Sequence, residues 1–233
     1  MTSSPLALPA FGLDLALANF APVLFTALAL LCVARLVREL SQSDARMALI
    51  GTALVVLAGL SKAAWKLILA LGGPDLPWLA NALFPLMAPG FTLLACALWH
   101  AARSTPARPS PWLPALVLIG AGYGIAVYRS LGLALERGWF LPLMILASVA
   151  NLSLTLLLLR ESWRRQALWL APLFLANFAM VFALQRIARI EPKTLSLHWL
   201  EQSLTAAGAG AFALGAWLLV RRNATASVKP IGG

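Results

Sequence analysis

Leu57-Ala-Gly-Leu-Ser-Lys-Ala-Ala-Trp-Lys-Leu-Ile-Leu-Ala-Leu71 decides the fold. It belongs to an apolar run long enough to cross a bilayer, and the breaker Gly72-Gly-Pro-Asp75 closes it. Yet Lys62 and Lys66 stand inside it, one helical turn apart. A charge near the bilayer centre costs roughly 2.5–3.5 kcal/mol on insertion scales, so such a residue faces a bundle interior or a water-filled cavity. Nearer the surface it snorkels to the head groups instead.

The rest of the chain has the same character. It has 233 residues, 61% of them hydrophobic and 11% charged, where an ordinary soluble domain carries about 25% charged residues. The apolar residues come in long blocks, so the expected class is all-α, a polytopic membrane protein whose first partner is the lipid bilayer. The net charge of +10 sits mostly in short loops between spans, where it sets orientation and meets anionic head groups; nucleic acid is not an expected partner. Cys32 and Cys96 fall inside spans and read as small buried hydrophobes. The N-terminal Met-Thr-Ser-Ser-Pro lacks a basic n-region, so the first span is expected to stay in the mature protein.

Seven spans are expected, at about 15–37, 47–71, 78–102, 112–128, 138–159, 167–190 and 195–220, followed by a mobile polar tail at 223–233. Pro85 and Pro89 predict a kink in the third span, tolerable where neighbouring helices re-satisfy the backbone. Gly120-Ala-Gly-Tyr-Gly124 predicts a close helix contact in the fourth. Alternate loops divide the basic residues unequally. Arg35, Arg38, Arg46, Arg103, Arg108, Arg160, Arg164, Arg165, Arg221, Arg222 and Lys229 fall on one side; Arg129, Arg137, Arg186, Arg189 and Lys193 fall on the other. The positive-inside rule then gives an N-out, C-in bundle in a cell inner membrane.

A weak internal similarity pairs the spans. Trp78-Leu-Ala-Asn-Ala-Leu83 matches Trp199-Leu-Glu-Gln-Ser-Leu204, and Pro22 and Lys66 match Pro142 and Arg186 at nearly the same offset. This pairs spans one to three with five to seven, a 3+1+3 parallel repeat with span four as linker. Leucine- and alanine-rich spans also align by chance, and both explanations stand. The layout resembles that of SWEET-type sugar transporters in topology alone; the chain has no Pro-Gln dipeptide, and the resemblance transfers no functional residue.

The predicted orientation gathers polar groups in the outer half: Lys62 and Lys66 on span two, Asn81 on span three, Gln185 and Arg186 on span six, and His198, Glu201 and Gln202 on span seven. Asn177 lies deeper in span six. One reading is an outward-facing cavity for a small polar or anionic solute, bound by Lys62, Lys66, Glu201, Gln202, Asn177, Gln185 and Arg186, with Glu201 pairing a lysine when empty. The other is snorkelling for Lys66 and Arg186, a structural ion pair for Lys62 and Glu201, and interhelical hydrogen bonding for Asn177. His100 reads as an interfacial residue. No cofactor or metal is expected: two histidines at opposite faces cannot bracket a haem, and no His, Asp or Glu cluster has ligand spacing. Ser61 beside Lys62 points about 100° away on a helix, a poor dyad, so an enzyme is not expected. The expected function is solute binding and transport, with a non-transporting receptor or an accessory or assembly subunit as the rival; an oligomer or a membrane-protein partner stays open.

Overall fold

The computed structural model describes residues 12–103, 112–187 and 195–226. Among these, every regular element is helical: α1 (Leu13–Ala18), α2 (Phe20–Leu40), α3 (Ala45–Ala70), α4 (Pro77–Asn81), α5 (Leu83–Ala101), α6 (Trp112–Val127), α7 (Phe140–Arg164), α8 (Ala171–Ile187) and α9 (Leu195–Ala226). Six helical segments are long and apolar enough to cross a membrane: 13–40, 45–70, 77–101, 112–132, 140–164 and 196–222. The chain is therefore a multi-pass membrane protein. The expected span 167–190 begins with a 3-10 turn at Leu168–Leu170, and α8 itself has 17 residues. That is about 25 Å at the helical rise, short of a hydrocarbon core of about 30 Å. Residues 188–194 lie outside the described residues, as do 104–111 and 227–233, which include most of the expected tail.

α8 nevertheless runs antiparallel to α9. Phe174 stacks edge-on against Phe212 at 5.8 Å, and a side chain at Gly208 would meet Met180 and Asn177. At one end of the bundle Arg222 of α9 donates to the carbonyls of Arg165 (3.3 Å) and Gln166 (2.6 Å), so α7 and α9 finish together. The helices pack in a closed order, α2 on α3, α3 on α5, α5 on α7, α7 on α8, α8 on α9 and α9 back on α2. One apolar core runs through this ring, including Leu30, Met47, Leu94, Leu154, Phe174 and Leu219. α6 leans on α5 and α7 from outside, and only 17% of its apolar window is buried, against 33–44% for the other five.

Element ends follow local chemistry. α3 stops where expected because Gly72 adopts φ +74°, letting Gly73 N–H reach the Ile68 carbonyl at 2.8 Å. α7 runs past the expected 159 to Arg164, through an i,i+4 pair of Glu161 and Arg165 at 2.7 Å. The fourth span continues beyond 128 as a π turn over Tyr128–Gly132, closed by Leu133 N–H on the Tyr128 carbonyl. The helix of the expected span 195–220 continues to Ala226.

The glycines of α6 do not make the contact their spacing predicts. A side chain at Gly120 or Gly124 would meet nothing within 4 Å, and only Gly122 packs closely, on Leu146. The close approach lies instead between α3 and α5. A Cβ at Gly51 would stand 2.7 Å from the Gly90 carbonyl, and one at Gly90 would stand 2.6 Å from Val55 Cγ2 and 2.9 Å from the Gly51 carbonyl. Two backbones touch here because neither residue has a side chain.

At the basic end, Asp44 is 2% exposed and meets His100 Nδ1 at 2.7 Å, joining the start of α3 to the end of α5. Arg164 reaches the Ala102 carbonyl at 2.9 Å, and buried Glu161 holds Arg165. His100 is thus more than an interfacial residue; it ties two spans together.

Replacing Gly90 with alanine is expected to cost about 1–3 kcal/mol, the usual range for overpacking, read as a lower unfolding temperature in detergent. The same change at Gly120 is expected to leave that temperature unchanged; equal losses would contradict this packing.

Candidate functional site

Prolines inside spans create the polar features of this protein. A proline at position i removes the N–H that would bond the carbonyl of residue i−4. In a membrane that carbonyl has no water to turn to. Pro22 frees the carbonyl of Ala18 and Pro89 that of Pro85. Each freed carbonyl takes a side-chain donor from elsewhere in the chain. Gln202 Nε2 donates to Ala18 at 2.7 Å and the Tyr123 hydroxyl donates to Pro85; separately, Arg129 Nε donates to the carbonyl of Gly138, just ahead of α7, at 3.3 Å.

The first of these forms the centre of the candidate site. The helix of the first span breaks at Asn19, between α1 and α2. Asn19 Nδ2 donates to the Leu15 carbonyl at 2.6 Å, which leaves its Oδ1 to accept Lys66 Nζ at 2.7 Å. Gln202, 9% exposed, approaches the same break from α9. Two of the expected site residues therefore converge on one point, although α2 stands between the helices that carry them, packed on α3 and on α9. They meet through the break, not through each other.

The remaining expected residues surround that point or lie apart from it. Lys62 is one turn further along α3 from the break, and its side chain is exposed. Glu201 Oε2 lies 3.7 Å from His198 Nδ1, an i,i+3 contact on a face of α9 adjacent to that of Gln202. Trp65 Nε1 donates to Asp75 at 2.8 Å, fixing the turn after α3 beside the lysines. Asn177 is half-buried and faces α9 at Gly208, deeper in the bundle. Gln185 and Arg186 belong to the last turns of α8, and their side chains lie outside the described residues. Asn81 is exposed at the end of α4, and the Ser61 hydroxyl is turned back on the Ala58 carbonyl of its own helix at 2.8 Å.

Asn19 is the residue that sequence reasoning passed over. Its signal was present: a short polar side chain three residues before a proline, next to the carbonyl the proline frees. Among the described residues, no group of three or more His, Cys, Asp or Glu side chains is placed to hold a metal. The site offers a lysine ammonium, amide groups and a helix break, which together suit recognition of a polar or anionic group rather than bond-making.

No protein-family model matches the chain, and comparison with curated proteins and with solved structures finds no match either.

Leaving the Ala18 carbonyl without its donor is expected to cost about 1–3 kcal/mol, so Gln202→Leu should lower the unfolding temperature. In a Pro22→Ala background the restored N–H takes over the carbonyl, and the loss from Gln202→Leu should shrink. Additive losses in this double-mutant cycle would show that the proline is not the reason for Gln202.

Proposed function

We propose that the protein is a seven-span, N-out, C-in carrier of an inner membrane, which binds a small polar or anionic solute around the break in its first span. The observation that carries this reading is the Ala18–Asn19 break, held by Lys66 from one side and Gln202 from the other. Discontinuous helices are where transporters place their solute sites, because unwound backbone supplies polar groups at a depth where none is otherwise available. In this reading Lys66 exchanges Asn19 for the solute, Lys62 adds positive charge one turn deeper, and Glu201 and Gln202 line the α9 side. Asn177, Gln185 and Arg186 supply the face from α8.

The 3+1+3 repeat fits the same reading. The ring joins α2, α3 and α5 to α7, α8 and α9 and closes both ways, α5 on α7 and α9 on α2. Two related three-helix units would pack in this order, with α6 left outside as the linker.

A second reading, a receptor or accessory subunit that moves nothing, is favoured by the other half of the bundle. Thr52 and Thr92 are buried, and both hydroxyls bond carbonyls of their own helices, Ala48 at 2.9 Å and Ala88 at 2.8 Å. They offer a passing solute little.

A thermal-shift screen of the purified protein against small carboxylates, phosphate and sulfate tests the binding site. A ligand at 100 times its Kd stabilises by about 2.7 kcal/mol, and that gain is expected to vanish in Lys66→Ala and to weaken in Lys62→Ala. If the variants respond as the parent does, the site lies elsewhere. Uptake of the same anion into proteoliposomes then separates the two readings, since only a carrier accumulates it.

A further inference from the structure

A groove of about 440 Å³ runs along the outside of the bundle between α6 and α7. Leu118, Gly122 and Ile125 line one wall, Ile145 and Val149 the other, and Arg129 stands at one end. From Leu118 to Arg129 it extends about 16 Å at the helical rise.

Four observations concern the end at Arg129. The π turn Tyr128–Gly132 and Gly138 hold it in place: a Cβ at Gly138 would stand 2.6 Å from the Arg129 carbonyl carbon, so the two backbones touch. The guanidinium uses Nε on the Gly138 carbonyl, and among the described residues its Nη groups make no hydrogen bond. Ser130 Oγ, one residue on, is buried and has no hydrogen-bond partner among the described residues. Exposed Tyr128 and half-buried Trp139 flank the turn, as aromatic residues do at the depth of lipid head groups.

The geometry points to a bound anionic phospholipid, its phosphate on the Arg129 guanidinium and one acyl tail lying in the groove. A planar guanidinium with its Nη donors available matches two phosphate oxygens. The groove is apolar along its length apart from that end, which is the polarity profile of a lipid and not of a free anion. This site is separate from the solute site around Asn19 and does not depend on it.

Native mass spectrometry of the full chain, released from detergent after titration with phosphatidylglycerol, tests the assignment. One phosphatidylglycerol is expected to remain bound per chain, while dioleoylglycerol (tails without phosphate) and glycerol phosphate (phosphate without tails) are lost. Arg129→Ala is expected to weaken retention about tenfold, the scale of one charge-assisted pair, and Arg129→Lys to fall between. Because Arg129 also caps a carbonyl, Ile145→Trp provides an independent variant: Ile145 is 51% exposed, so its replacement fills the groove without entering the core, and retention should fall. Unchanged retention in Ile145→Trp, equal retention of dioleoylglycerol, or equal binding of glycerol phosphate would overturn the assignment. A dimer that Ile145→Trp dissolves would give the groove to a second copy instead.

Discussion

A backbone carbonyl without a partner is the constraint on which much of this structure depends. In water a proline within a helix is a local kink, because solvent takes the carbonyl it frees. Within a span no such partner exists, and a donor must come from another part of the chain. Pro22 and Pro89 each impose this demand, and Gln202 and Tyr123 answer it. Both bonds join separate helices, α9 to the first span and α6 to its sequence neighbour α5. The prolines thus place polar side chains inside an apolar protein and determine where they point.

The candidate solute site follows from that constraint. Its side chains are already committed to the break in the first span, so a solute that bound there would compete with protein hydrogen bonds. Such competition links occupancy to the conformation of the break. The opposite end of the bundle is built differently. There Asp44 and His100, Glu161 and Arg165, and Arg164 and the Ala102 carbonyl tie the helix ends by charge.

The all-helical, multi-pass character and most helix boundaries were legible from apolar run length and breakers; of the seven expected spans, six are long and apolar enough to cross a membrane. Hydrophobic runs report cost of transfer, which is a property of each segment alone. The small-residue pattern misled for a physical reason. Gly120 and Gly124 have the spacing of a contact face, but Gly51 and Gly90 make the contact, because closeness needs a partner helix that also lacks a side chain at the same level. Spacing on one helix carries no information about the other.

By itself, then, the sequence determined a helical multi-pass membrane protein, two lysines within one of its spans, and a proline whose freed carbonyl required a donor. Tertiary structure decided which donor it received. Lys66 and Gln202 both looked like walls of one cavity, yet they flank α2 and meet only at Ala18 and Asn19. A missing N–H is written in the chain as a proline. The identity of the group that replaces it depends on which helices the closed ring brings together, and that is set by packing summed over the whole bundle.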